Sequence, residues 1–446
     1  MRHLSILPRN FTQDLYSILH SRSQSGPLFR HLTSLEWRSY SLAQPNLFST
    51  IVPFINNSLK HLLIIFPYSE DGNEGHEAAQ LLSTLPTQTP ALKLLSVKGS
   101  SHVANAAFEA VCSLSHLETL YTEDFGIPQV YLVPLARLNN LRRLSLTLNK
   151  YTHLTNPAAV VPAFHSLEAI YLDTTEPFYA TLFILKFLTG APLREFTLKF
   201  PHFLHPDAAM HLASAMVHAF HHDLITSIRI WCSDCAAARP GDPIYMLDTN
   251  MLRKLFVFRY LEIFNFNISK TWWENGDLSI ISYNTLYRAT QAHQVLLMNV
   301  KMMYAAVDDM FITDLIARWP AMRALSLVPA GRTPCPVTRL TLQGLIHFNK
   351  SRNITDLRVL FDGSNCDIWP DYPPANGLSC PSLRHLDVHA SSFNTWDLET
   401  MASLISDLFP NLKDDIGSFE PSFEEQDVLD RTAFWSAVSA RIIHFS

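Results

Sequence analysis

Leu141-Arg142-Arg143-Leu144-Ser145-Leu146 places leucine at its first, fourth and sixth positions, with Asn149 three residues further on. From Arg143 to Leu146 leucine alternates with variable residues, the period-2 signature of a strand that buries one face. The Asn149 amide stands where backbone groups are released as the chain turns away from such a strand. The same spacing begins again at Leu32, Leu59, Leu92, Leu117, Leu167, Leu193, Ile225, Leu261, Met322, Ile354 and Leu383. The starts lie 24 to 36 residues apart, apart from one interval of 61 between Leu261 and Met322. That interval is expected to hide a repeat that has lost its phrase. Between phrases the apolar period lengthens to that of a helix, as in Leu212, Met216 and Phe220 or Met401, Leu404, Ile405 and Leu408. Pro90, Pro320, Pro381 and Pro410 stand where a helix must end before the next strand, because proline has no N–H and clashes with the preceding turn.

Strands and helices alternating at this period define an α/β leucine-rich-repeat solenoid, with a curved parallel sheet on the concave side and helices on the convex side. The expected organisation is a capping segment over 1–27, an irregular array of about 12 to 13 repeats over 28–415, degenerate around 271–310, and an acidic segment with a capping helix over 416–446. Within the ends, Phe11 to His20 reads as a short helix, and Phe434, Val438 and Ile442 recur on one helical face.

Composition sets limits on function. Hydrophobic residues make up 48% and charged residues 17%, and 34 basic against 40 acidic side chains give a net charge of −6. Such a balance supplies no field for a polyanion, so nucleic acid is not an expected partner. No apolar run reaches the roughly 18 residues of a membrane span. Six scattered cysteines and an N-terminus without a signal-peptide apolar run suggest a reduced, intracellular protein, cytoplasmic or nuclear.

Enzymatic motifs are weak or missing. Cys232 and Cys235 have the spacing of half a zinc site, but no second pair lies at a usual distance. His218 and His222 are four apart, yet with His211 they fall opposite Leu212, Met216 and Phe220, on what should be a solvated helix face; Ala219 stands where a metalloprotease would need glutamate. No phosphate-binding glycine loop or nucleophile elbow appears. No catalytic residue, metal or cofactor is therefore expected. An enzyme with a site between repeats is the alternative from another class. The expected partner is a protein, held on the variable positions that alternate with the strand leucines: Tyr121, Arg143, Tyr171, Arg229, Trp231, Asn265 and Arg358. A second candidate is the proline-rich loop containing Trp369 and Tyr372.

The phrases Leu32-Thr33-Ser34-Leu35-Glu36-Trp37, Leu117-Glu118-Thr119-Leu120, Trp319 to Leu327 and Cys380 to Val388 resemble those of fungal, especially mushroom-type, F-box proteins with irregular leucine-rich repeats. The resemblance covers most of the chain as a style of repeat. It implies a substrate-recognition protein for a cullin ubiquitin ligase, coupled through a Skp-type adaptor by an N-terminal F-box. The F-box itself is not visible: Leu7-Pro8 resembles its opening, but its helices have no room before Leu32 and no Val-Cys-x-x-Trp ending follows. Adaptor and cullin are thus expected only if an F-box lies upstream. The other reading is a leucine-rich-repeat adaptor or inhibitor with no ligase link.

Overall fold

The computed structural model describes residues 2–6, 18, 21, 27–38, 51–66, 73–148, 164–200, 206–232, 254–268, 295–301, 308–328, 340–363, 379–388, 391–393, 398–412, 416 and 426–445. These fall into two units, residues 1–196 with 218–221, and residues 197–217 with 222–446. Asn149, Cys235, Trp369 and Tyr372 lie outside the described residues, as does all but Ile18 of the expected helix from Phe11 to His20.

In unit 1 the strands are β1 (His3–Ile6), β2 (Ser34–Arg38), β3 (His61–Ile65), β4 (Leu94–Lys98), β5 (Thr119–Gly126), β6 (Arg143–Leu148) and β7 (Ala169–Thr174). Each pairs in parallel with the next, in sequence order. Each of β2 to β7 begins two residues after a phrase leucine. The connections carry α1 (Asn73–Gln88), α2 (Ala104–Cys112), α3 (Leu132–Ala136) and α4 (Pro177–Phe183). Strand β8 (Glu195–Phe200) and helix α5 (Pro206–Ala219) run across the division between the units. Unit 2 continues with β9 (Ser227–Cys232), β10 (Ile263–Ile268), β11 (Leu297–Lys301), β12 (Ala324–Val328), β13 (Asp356–Val359), β14 (Asp362–Gly363), β15 (His385–Asp387) and β16 (Ser392–Phe393). Its main ladder is again parallel, β9 to β13 in sequence order and then β15. The short β14 and β16 pair separately. Helices α6 (Asp309–Arg318), α7 (Leu342–Ile346), α8 (Leu398–Leu408) and α9 (Gln426–Phe445) complete it. Parallel strands joined through helices, repeat after repeat, are the α/β leucine-rich-repeat solenoid that the phrase implies.

Every phrase found in the sequence becomes a strand; besides the short β14 and β16, strand β1 lies where no strand is expected, and β11 supplies the degenerate repeat expected in the 61-residue interval. Strand β1 lies inside the segment taken as a cap, on Met1-x-x-Leu4-x-Ile6. Strand β11 lies in the 61-residue interval, on Val295-x-x-Met298-x-Val300. In both, other apolar residues replace leucine at the first and sixth positions and so disguise the pattern.

Burial follows the alternation. Leu144, Leu146, Ile170 and Leu172 are at most 3% exposed, as are Ile228, Ile230, Phe264 and Leu357 in unit 2. Each such side chain contributes roughly 1.5 to 3 kcal/mol by leaving water. Corners are built alike: the N–H of the first phrase residue donates to the carbonyl three residues earlier, as in Leu59 to Asn56, Leu92 to Thr89, Leu141 to Leu138 and Met322 to Trp319. Pro90, Pro320 and Pro410 lie two residues past the ends of α1, α6 and α8. After most described corners one carbonyl accepts two N–H groups of the next repeat; Lys60 accepts from Lys93 and Leu94, Lys93 from Glu118 and Thr119, and Glu262 from Leu296 and Leu297. Asparagine side chains add a link between successive corners. Asn140 Nδ2 donates to Ser115 O at 2.9 Å, Asn353 to Pro320 O at 2.9 Å and Asn411 to Pro381 O at 2.8 Å.

The C-terminal helix α9 is anchored by a residue other than the one expected. Val438 and Ile442 are buried, but Phe434 is only half-buried, and Trp435 is the fully buried aromatic. Its indole Nε1 donates to Ser391 O at 3.1 Å and its ring meets Phe361 edge-on at 5.5 Å. A purely four-residue spacing chose the neighbour because it ignored that an indole can fill a deeper space and still satisfy its N–H.

Candidate interaction surface

On each strand the residues between the buried positions point away from the core. In unit 1, Tyr121, Ser145 and Tyr171 occupy one row, as Cα partners on β5, β6 and β7. Arg143 lies two residues before Ser145 on the same face of β6 and is exposed. Tyr121 is 38% exposed, Tyr171 is half-buried and Ser145 is buried between them. The structure therefore brings together the three unit 1 residues singled out in the sequence, with a small residue between two tyrosines.

Next to this row the ladder breaks. Pairing of β5 with β6 shifts register between Tyr121 and Gly126, which leaves a bulge. In the phrase from Leu117, Thr122 occupies the sixth position instead of an apolar residue. Thr122 is buried at 3% exposure, and its Oγ1 donates to Ser145 O at 2.9 Å. Beyond it Asp124 adopts a φ of 72°, the one non-glycine residue with positive φ among the described residues. Aspartate tolerates that region better than most residues because its short polar side chain can bond locally. Glu123 faces outward by the ordinary alternation two residues after Tyr121, the bulge adds the exposed Asp124 beside it, and Lys98 Nζ binds both, at 2.8 Å and 3.2 Å. These carboxylates hold Lys98 well above the usual lysine range, with the Glu123 hydrogen bond as the largest cause. Burial, followed by the charges of Asp173 and Glu123, pushes the Tyr171 phenol up to about 12.

Unit 2 presents a different row. Asn265 on β10 is the Cα partner of Arg229 on β9 and of Asn299 on β11; the row continues through Ser326 on β12 to Arg358 on β13. Trp231 lies two residues beyond Arg229 on the same face and is half-buried. Arg229, Trp231 and Asn265 thus form one neighbourhood. Arg358, which is exposed, stands four strand spacings from Arg229, about 19 Å. Asn265 Oδ1 and Ser326 Oγ are shielded from solvent without a hydrogen-bond partner among the described residues.

A charge ladder at the start of the strands escaped the sequence reading. Lys60, Lys93, Glu118, Arg142, Glu168 and Arg194 hold the position before each strand in six successive repeats of unit 1. Lys93 pairs with Glu118 at 2.5 Å and Arg142 with Glu168 at 3.0 Å. From Lys93 to Arg194 the sign alternates, a signal that emerges only when repeats are aligned. The Glu118 carboxyl is held below its ordinary range, first by its hydrogen bond to Lys93.

The expected solvated histidines, His211, His218 and His222, are exposed, while Leu212, Met216 and Phe220 are buried. Among the described residues no group of three or more His, Cys, Asp or Glu side chains is placed to hold a metal ion. A cleft of about 570 Å³ lined by Pro27, Arg30, Val52, Ile55, Asn56, Asn57 and Gln88 contains one charged side chain and no acid–base pair. Cys112 is half-buried, and burial raises its thiol to about 11, away from the thiolate needed for nucleophilic work. No described helix is long and apolar enough to cross a membrane.

No family model and no curated protein matches the sequence. Among solved structures the chain is similar to an internalin, InlF, from Listeria monocytogenes, with 12% identity over 89% of this chain and 87% of that one and a TM-score of 0.38. It is similar to TLR13 in a complex with ssRNA13, with 13% identity over 84% of this chain and a TM-score of 0.39, and spans 57% of that protein. It is also similar to Rad7 in its complex with Elc1 in yeast, with 14% identity over 92% of this chain and 86% of that one and a TM-score of 0.31.

Proposed function

We propose that this protein is a non-enzymatic scaffold that recognises a protein partner through the outward face of its parallel strands. The observation that carries the reading is the row Tyr121, Ser145, Tyr171 with Arg143 beside it: aromatic and arginine side chains, the types that anchor interfaces, gathered on a rigid ladder. Among the described residues no group of three or more His, Cys, Asp or Glu side chains is placed to hold a metal ion, so a metal-dependent activity finds no support there. Within that role, the repeat style favours substrate recognition for a cullin ubiquitin ligase of the F-box type, in the cytoplasm or nucleus. The second reading is an adaptor or inhibitor without a ligase.

Affinity capture with the full chain from a fungal lysate, followed by quantitative mass spectrometry, tests both levels. Co-recovery of a partner with a Skp-type adaptor and a cullin is the expected result. A partner without them favours the adaptor reading, and the absence of any partner whose capture is weakened by substitutions on the outward strand face, whether Tyr121 and Tyr171 or Arg229 and Trp231, overturns the scaffold itself.

A further inference from the structure

Tyr121 and Tyr171 are separated by one strand, so their Cα atoms lie about 9.6 Å apart across the ladder, and Ser145 between them is too small to fill the gap. A cation placed midway would lie within about 6 Å of both ring centroids, the range over which an aromatic face attracts positive charge. One end of this slot meets the bulge of β5, where Glu123 and Asp124 share a single ammonium, that of Lys98. Two carboxylates against one cation leave negative charge there. The other end carries the exposed Arg143, which repels a cation and so gives the slot a direction. The bulge is not an accident of a weak strand. It includes the one positive-φ non-glycine residue among those described, and bulges characteristically re-aim side chains beside binding sites.

We propose that the slot between Tyr121 and Tyr171 receives an arginine side chain of the protein partner, its guanidinium between the two rings and its N–H groups on the Glu123 and Asp124 carboxylates. The proposal rests on the scaffold reading above and gives its partner a chemistry. Arginine fits better than lysine because a planar guanidinium stacks on aromatic rings while donating sideways to carboxylates, which a compact ammonium cannot do at once. Negative charge in the slot is consistent with the Tyr171 phenol, whose ionisation is opposed by Asp173 and Glu123 as well as by burial.

The test uses the full chain and a synthetic nonapeptide of glycine and serine with one central arginine and an adjacent photo-crosslinker; the same peptide with lysine, glutamine or glutamate at its centre serves for comparison. Crosslinks are mapped by mass spectrometry and melting temperatures are recorded for every variant. The arginine peptide is expected to label the Tyr121 to Tyr171 region at least tenfold above the glutamine peptide, with lysine between them. Tyr121→Ala with Tyr171→Ala, or Glu123→Gln with Asp124→Asn, should reduce labelling at least tenfold. Tyr121→Phe, which keeps the ring, should preserve it even if the alanine variants unfold. Equal labelling by the glutamine peptide, loss of labelling in Tyr121→Phe at unchanged melting, or an equal loss in the remote Glu109→Gln would overturn the proposal. Capture of a partner unaffected by the slot variants also sinks it and leaves the scaffold reading standing, whereas slot labelling without any captured partner counts against the scaffold alone.

Discussion

Unit 1 and unit 2 share one buried grammar and present different outward rows. Over β5 to β7 the outward row of unit 1 holds two tyrosines, is flanked by carboxylates, and is interrupted by the β5 bulge. That of unit 2 runs from β9 to β13 without a register shift and is built of arginine, amide and hydroxyl groups. Burial demands leucine-like side chains at alternate positions and is indifferent to what lies between them, so the core is uniform while the face is free to diverge. Which chemistry faces outward is decided repeat by repeat.

The largest effects should fall on what the units share. Leu146→Ala in unit 1 and Leu357→Ala in unit 2 are each expected to cost about 2 to 5 kcal/mol, since both side chains are fully buried and their removal leaves a cavity. Denaturant melts measure this directly. An unchanged midpoint for either would show that the two cores are not equivalent.

Next come the anchors that set the faces apart. With a partner in hand, Tyr171→Ala should weaken binding by about 2 kcal/mol or more, roughly thirtyfold, if unit 1 holds the partner. Trp231→Ala would produce that loss instead if unit 2 does. Titration calorimetry of both variants decides between the faces, and two small effects would refute both.

The bulge has no counterpart in the described pairings of unit 2, and its backbone can be probed by substitution. Asp124→Val, which places a β-branched residue at a φ of 72°, should cost about 1 to 3 kcal/mol, whereas Asp124→Gly should be close to neutral. A valine variant as stable as the glycine variant would argue against the left-handed conformation.

The smallest effect belongs to the charge ladder of unit 1. Glu118→Gln should cost under about 1 kcal/mol because the pair with Lys93 is exposed. The Glu118 pKa is lowered in the folded chain from an ordinary value of 4.5, so its contribution is present above that pH and disappears as pH falls through the folded value. Stability curves of the two proteins should therefore converge in acid, and a gap that widened there would contradict the assignment.

Much of this architecture was legible in the residues. Period 2 next to period 3.6 fixed strands, helices and their order, because each buried face imposes its own spacing. What could not be read had local causes. Strands β1 and β11 substitute methionine, valine and isoleucine for leucine, and Trp435 outweighs Phe434 through shape and an indole hydrogen bond. The site was half legible: alternation selected Tyr121, Arg143 and Tyr171 and by the same spacing turns Glu123 outward, but the exposure of Asp124 beside Glu123 comes with the register shift between β5 and β6, which no residue spacing announces. The separation of Arg358 from Arg229 required counting strands through β11, whose phrase was hidden.

The corner turns also bear on how such a chain changes length over generations. At most described corners a local hydrogen bond and a doubly used carbonyl align the coming strand with the one before it, whatever lies in the connection between them. An insertion there is therefore forgotten by the time the next strand begins. Connections can drift between 24-residue and 36-residue repeats while each strand keeps its partners in register. A sequence free to vary in this way retains its fold while losing the even spacing by which repeat arrays are ordinarily recognised.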